Sequence, residues 1–314
     1  MIRARPKKQP TGRRRSAHPR KPRLNALTLQ TIDSPALMQA AAMALRRSSA
    51  TIGFVPTMGA LHDGHLTLMR EARRRCDVLV VSIFVNPLQF NNAHDLRHYP
   101  RDLEGDRLRC ESVGVDVLFA PIADRMYPAG FDTNVHIEQL TRGLCGAYRP
   151  GHFDGMATVV LKLFNLVRPH FAVFGEKDFQ QLQVVRRMVR DLSLPVEVLG
   201  LPVLREIDGL AMSSRNRRLT AEQRAQATAL VAAIETAQAA AERGERLSRT
   251  LIAVARAELA KRPLVKPEYV EVVDPDSLEP LAVIDDSARI LIAAHLGDVR
   301  LIDNGPVYPR PLRN

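Results

Sequence analysis

Two histidines, His62 and His65, stand three residues apart in PTMGALHDGHLTLMREARRR (56–75), with only Asp63 and Gly64 between them. Residues at that spacing share one face of a helix. Such a pair could ligate a metal, move protons, contact phosphate or simply close a turn. A metal site needs a third ligand, and the HExxH pattern of zinc proteases is absent. The segment reads as a strand turning into a helix. Free N–H groups and the positive end of the dipole make such a helix start attractive to phosphate. Gly59 and Gly64 allow close backbone approach or a positive φ.

Three more groups of side chains could join them. In GEKDFQQ (175–181), Lys177 and Asp178 fall at a strand-to-helix junction, where lysine meets phosphate as a point cation. The plainer alternative is a solvated helix start with Asp178 as N-cap. In DGLAMSSRN (208–216), Ser213, Ser214 and Arg215 could hold phosphoryl oxygens by short hydrogen bonds and a fork of donors. The alternative there is a capping segment ahead of a helix near Thr220. In SIFVNPLQF (82–90), Asn86 and Gln89 end a strand and offer neutral amides suited to hydroxyls or a carboxylate. Arg149, in YRPGHFDG (148–155), sits in a loop bounded by proline and glycine. Taken singly, each segment is explained as well by structure as by chemistry.

The elements that must position these residues alternate along the chain. TIGFVP (51–56), DVLVVSIFV (77–85), VDVLFAP (115–121) and FAVFGE (171–176) are apolar runs of the kind found in strands covered on both faces. Helical patterns follow them over 64–75, 99–114, 156–169 and 177–192, and 196–206 reads as extended. This rhythm predicts an α/β fold, a Rossmann-like doubly wound parallel sheet. Ligands in such sheets sit beyond the carboxyl ends of the strands, near a switch point. The unusual polar stretches do follow the strands. After about residue 205 the pattern changes to Ala-rich helices over 220–243 and 247–262, then strand-like 267–275 and 288–303. That predicts a smaller C-terminal α+β domain over 205–314, a first domain over 26–204, and a basic extension over 1–25.

The net charge of +11 lies in that extension, whose ten Lys and Arg have no acid among them; the remainder holds 35 basic against 34 acidic residues. A Pro- and Arg-rich segment buries too little apolar surface to fold. It reads first as an inert extension or misplaced start, then as a loose nucleic-acid contact; its prolines oppose a transit helix. The three cysteines, Cys76, Cys110 and Cys145, are far apart and form no CxxC pair, which predicts a reduced, cytoplasmic protein. No apolar run approaches membrane-spanning length, so no membrane is expected.

Together, PTMGALHDGH, VSIFVNPLQF, RPGHFDG, FGEKDFQQL and GLAMSSRN occur in this order. The set resembles the pantothenate synthetase, or pantoate–β-alanine ligase, family over about residues 26–310. HDGH resembles the HIGH signature of the class I tRNA synthetase and nucleotidylyltransferase superfamily, and MSSR its mobile KMSKS-type loop. HDGH alone would also suit a nucleotidylyltransferase that stops at an adenylylated product.

The resemblance implies ATP-dependent joining of pantoate and β-alanine through a pantoyl adenylate, in pantothenate and coenzyme A biosynthesis. It implies that Met58, Gly59, Ala60, Leu61, His62, Asp63, Gly64 and His65 bind ATP, with His62 and His65 on the phosphates. Gly175, Glu176, Lys177 and Asp178 would line the nucleotide, Leu204 would meet adenine, and Met212, Ser213, Ser214 and Arg215 would close over the triphosphate. His65, His62, Lys177 and Arg215 are the implied catalytic groups. Gln89 and Gln181 would bind pantoate, with Asn86 and Arg149 in support, and Gln89 would also touch β-alanine. Mg²⁺ would ride on the ATP phosphates without a protein cage. A homodimer is also implied.

Overall fold

The computed structural model describes residues 29–309. The basic extension assigned to residues 1–25 therefore lies outside the described residues. In chain order the first part contains β1 (Gln30–Ile32), α1 (Pro35–Arg47), β2 (Ile52–Thr57), α2 (Asp63–Arg75), β3 (Val78–Ile83), α3 (Ala93–Arg97), α4 (Leu103–Val113) and β4 (Val117–Phe119). It continues with α5 (Ala123–Met126), α6 (Cys145–Tyr148), α7 (His152–Val167), β5 (Phe171–Gly175), α8 (Phe179–Asp191) and β6 (Glu197–Leu201). Beyond these come α9 (Ala221–Ala227), α10 (Ala229–Glu242), α11 (Ser248–Ala260), β7 (Lys266–Val273), β8 (Ala288–Leu296) and β9 (Val299–Val307).

The six early strands form one sheet in the order β1-β4-β3-β2-β5-β6, every pair parallel. Successive residues point to opposite faces of a strand. Val80 accordingly joins one apolar cluster, with Phe54 and Phe164, while Leu79 and Val81 join another with Met69 and Leu118. Both faces are covered, which is why these strands read as unbroken apolar runs. The chain leaves β2 toward β3 on one side and leaves β5 toward β6 on the other. Since β2 and β5 are neighbours, their carboxyl ends form the switch point.

The last three strands form a separate antiparallel sheet, β7-β8-β9. One face packs Val270, Ile290 and Ile292 against the alanines of α10 and α11. Its other face, with Tyr269, Val273 and Leu291, joins the core of the first sheet.

The sequence reading misses β1 and α1 altogether. The α1 helix is announced by Ser34, whose hydroxyl accepts from Leu37 N–H, followed by Pro35 at the first helical position. The single helix expected over 220–243 is two, broken at Thr228, whose hydroxyl donates to the Ala225 carbonyl. The helix expected from residue 99 begins at Leu103, because Asp102 caps it by accepting from Gly105 N–H at 2.9 Å. The helix expected from 156 begins one turn earlier, at His152.

Candidate active site

The turn after β2 is built against its own sterics. Gly59 has φ +84° and Ala60 φ +51°. Gly59 N–H donates to Thr57 Oγ1 at 3.3 Å, and the next two N–H groups are held from outside by one buried carboxylate. Asp106 on α4 accepts from Ala60 N–H at 2.8 Å and from Leu61 N–H at 2.7 Å. A side chain at Gly59 would stand 2.9 Å from that carboxylate. Leu61 is fully buried and pins the turn to the core.

At the start of α2 each histidine ring serves the backbone. His62 Nδ1 accepts from Gly64 N–H at 3.2 Å, and His65 Nδ1 accepts from His62 N–H at 3.3 Å. The two rings lie 4.1 Å apart. A β-carbon at Gly64 would come within 2.8 Å of the His62 ring, so glycine is needed there. Burial is the main force lowering the pKa of His62 to about 4, with Lys177 and Arg217 adding to it. Burial and then His62 take His65 down to about 3. Both rings are therefore neutral near pH 7. With Nδ1 occupied as an acceptor, each carries its proton on Nε2. The turn thus sets two neutral N–H donors beside the N-terminus of α2.

The loop after β5 brings Lys177 and Asp178, 3.9 Å apart, to the neighbouring strand end. Asp178 makes no side-chain cap bond to α8, contrary to the plainer sequence reading. The second sheet holds this loop in place. Asn304 Nδ2 donates to the carbonyls of Glu176 at 3.0 Å and Lys177 at 2.9 Å. Glu176 itself turns away and pairs with Arg289 at 2.9 Å.

After β3, Asn86 is buried and fully engaged. Its amide donates to Gln89 Oε1 and to the Gly155 carbonyl, both at 3.0 Å, and Tyr127 donates to its oxygen at 2.8 Å. Asn86 therefore aims Gln89. The Gln89 amide in turn approaches Met58 Sδ at 3.0 Å.

Met58, His62, Gly64, His65, Gln89, Arg149, Gly175, Lys177, Asp178, Gln181, Leu204, Met212, Ser213, Ser214 and Arg215 line one cleft of about 590 Å³ at the switch point. Gly59, Ala60, Leu61, Asp63, Asn86 and Glu176 do not line it; Leu61 and Asn86 are buried, and Asp63 is exposed. Leu204 gives its carbonyl to Met212 N–H at 2.9 Å, which ties the nucleotide wall to the MSSR segment. Arg215 and Arg218 both pair with Asp95, at 3.1 and 2.8 Å, closing that segment across α3. A second chamber of about 520 Å³ adjoins the cleft and shares Arg149, Lys177, Asp178, Ser213 and Arg215 with it.

Sequence reasoning missed Asp106, Asp95, Asn304 and His152. The first three act from outside the motif segments. His152 lies inside the RPGHFDG segment, and its Nδ1 donates to the Gln89 carbonyl at 2.7 Å while Nε2 accepts from Arg149 at 3.0 Å. Its tautomer is thus opposite to that of His62 and His65.

The model of the pantoate-beta-alanine ligase family matches residues 30–306. The chain belongs to the pantoate–β-alanine ligase family. A pantothenate synthetase of Syntrophotalea carbinolica is 52% identical over 276 residues, covering 88% of this chain and 98% of the relative. The crystal structure of pantothenate synthetase from Thermus thermophilus superposes with a TM-score of 0.85 at 47% identity, covering 90% of this chain and 100% of that one. The Francisella tularensis ligase, solved with β,γ-ATP and β-alanine, has a TM-score of 0.74 at 34% identity, covering 88% and 97%. The family is the one that the motif set resembles. Its activity is that of a ligase for pantoate and β-alanine. No helix among the described residues is long and apolar enough to cross a membrane.

The site's three depressed histidines make stability pH-dependent. His152 is held down to about 3, chiefly by burial and then by Arg149. An unfolded histidine titrates near 6.5, so between that value and the folded pKa the unfolded chain binds more protons than the fold. Stability therefore falls as pH drops from about 6.5 toward 4. We expect melting temperature to decline across that window, and His152→Gln to flatten the decline. A melting temperature unchanged between pH 7 and pH 5 would show that the rings take up protons inside the fold.

Proposed function

We propose that this cleft activates pantoate with ATP and then joins the acyl group to β-alanine. The reading is carried by one observation: the neutral rings of His62 and His65, with Lys177 and Arg215, line one cleft together with the amides Gln89 and Gln181. A pantoate carboxylate oxygen attacks the α-phosphorus, and pyrophosphate leaves with the bonding electrons. The deprotonated amine of β-alanine then forms the C–N bond as the C–O bond to the phosphoryl group breaks. AMP departs, and the nitrogen loses its remaining extra proton. Carboxylates are weak nucleophiles, so the site works by positioning and by donors placed where phosphoryl charge grows.

In this reading His62 and His65 donate to phosphoryl oxygens, Lys177 and Arg215 supply charge, and Ser213 and Ser214 close over the triphosphate. Leu204 meets adenine, and Asp178 meets ribose or the polar edge of the base. Gln89 and Gln181 hold pantoate. Among the described residues no cluster of His, Cys, Asp or Glu is grouped to hold a metal ion. The donors around the triphosphate are imidazole, ammonium, guanidinium and hydroxyl, which suits a Mg²⁺ carried by phosphate oxygens. Residues 205–314 are proposed as the covering domain, supported by the Arg215–Asp95 ion pair and by the Asn304 bonds to the loop after β5. A cytoplasmic homodimer completes the proposal; the free cysteines suit a reducing compartment, and sedimentation tests the dimer.

The test is product analysis with ATP, Mg²⁺ and pantoate, with and without β-alanine. AMP and pyrophosphate should require pantoate, and pantothenate should require β-alanine; ADP would overturn the adenylate route. For Gln89→Ala we expect the KM for pantoate to rise about tenfold, the loss of a buried hydrogen bond, with the KM for ATP little changed. Equal weakening of both substrates would move Gln89 out of the pantoate pocket.

A further inference from the structure

Arg149 follows α6 at the seam between the cleft and the adjoining chamber and lines both. One of its nitrogens approaches His152 Nε2 at 3.0 Å, and another donates to the Gln89 carbonyl at 3.4 Å. Neither partner carries charge. His152 donates its only N–H to that same carbonyl, so it meets the guanidinium as a lone pair. The other cations here have carboxylates. Arg215 and Arg218 have Asp95, Arg300 has Glu268, and Lys177 has Asp178. Among the described residues no carboxylate forms an ion pair with Arg149. Burial, with Arg215 and Arg300 nearby, pulls its guanidinium down to about 10.

An arginine partly withdrawn from water without a counter-charge is unfavourable unless an anion arrives. The anions of the proposed reaction can be separated by place. The phosphates have His62, His65, Lys177, Ser213, Ser214 and Arg215. The pantoate carboxylate must lie against the α-phosphorus and so shares those groups. One anion is left, the carboxylate of the amino acid.

Resting on the ligase reading above, we propose that Arg149 docks the carboxylate of the incoming β-amino acid, and that the chamber is its approach. The chamber wall carries Tyr148 and the mutual ion pair of Glu268 and Arg300, which leaves the Arg149 guanidinium unmatched beside it. β-Alanine separates its carboxylate from its nitrogen by two methylenes. With the carboxylate on Arg149, which bonds the Gln89 backbone, the nitrogen points to the acyl group held by the Gln89 side chain. This assigns Arg149 to the amine substrate rather than to pantoate. His152 acts as a positioning residue for the guanidinium.

The experiment compares β-alanine with its neutral isostere β-alaninamide as acceptors, using the full chain with ATP, Mg²⁺ and pantoate, in Arg149→Gln and Arg149→Lys. Loss of a charged hydrogen-bonding partner should lower kcat/KM for β-alanine by about 10- to 100-fold in R149Q. Turnover of β-alaninamide should change little, so selectivity collapses, and R149K should restore part of it. Pantoate-dependent exchange of pyrophosphate into ATP, which needs no amine, reports adenylation separately in the same proteins. Retained preference for β-alanine in both variants overturns the proposal. So does an exchange rate that falls as far as amide formation, because Arg149 would then serve the phosphates or pantoate. Should R149Q not fold, the same comparison in Arg149→Met, which also removes the charge, decides between these results. Failure of exchange in the unsubstituted protein would instead reject the ligase reading.

Discussion

Replacing His65 with alanine is expected to slow pantoate-dependent adenylation by about 10²- to 10³-fold, the effect of removing one preorganised transition-state donor. The expectation follows from the ring's state. Its Nδ1 is occupied by His62 N–H, and burial keeps it neutral, so what it offers the cleft is an Nε2–H. Charge grows on the α-phosphoryl oxygens only as the carboxylate attacks. A donor aimed there stabilises the transition state more than bound ATP, so kcat should fall much further than the KM for ATP rises. The same ring also caps α2, and loss of a cap costs about 0.5–2 kcal/mol of stability. Melting temperature must therefore be measured beside the exchange rate. A variant that melts lower but adenylates at near-normal kcat would make His65 a structural cap alone. Because both rings are already neutral, their titration should leave adenylation flat from pH 6 to pH 8.

Gly155→Ala is expected to damage pantoate binding from behind the site. Gly155 lies in α7 where the helix meets the NPLQ turn, and its carbonyl accepts from Asn86. A β-carbon there would stand 2.2 Å from the Leu88 carbonyl oxygen and 2.7 Å from the Gln89 nitrogen, both backbone atoms. Backbone cannot swing aside as a side-chain tip does. Helix or turn must shift, at a cost of about 1–3 kcal/mol for overpacking. That corresponds to a melting temperature lower by roughly 2–4 °C per kcal/mol in a domain of 150–250 residues. The shift displaces Gln89, so the KM for pantoate should rise about tenfold with the loss of an aligned hydrogen bond. An unchanged melting temperature and pantoate KM would show that helix and turn part freely.

Much of the first sheet is legible from the chain because a strand covered on both faces must be apolar at every position, as in DVLVVSIFV. β1 and α1 escaped notice for the same reason in reverse. β1 has three residues and lies at the sheet edge, and α1 leaves Leu37 and Met43 exposed, so neither shows a clean apolar period. The break at Thr228 is invisible to propensity, since alanine flanks it on both sides.

The sequence by itself determined the parallel α/β sheet and the family. It also determined which segments follow the strands, because apolar periodicity and strand-end chemistry are local properties of the chain. The neutrality of His62 and His65, the tautomer that leaves Nε2–H on each, the aim of Gln89 and the uncompensated charge of Arg149 were decided only in three dimensions. The neutrality depends on burial, and the tautomers and the aim of Gln89 depend on local turns that partners far away in the chain hold in place. Asp106 holds the turn from α4, Asn304 holds the GEKD loop from the second sheet, and Asp95 holds Arg215. Motif spacing records which groups the site contains. Desolvation and long-range hydrogen bonds set the protonation state and direction in which each one is presented.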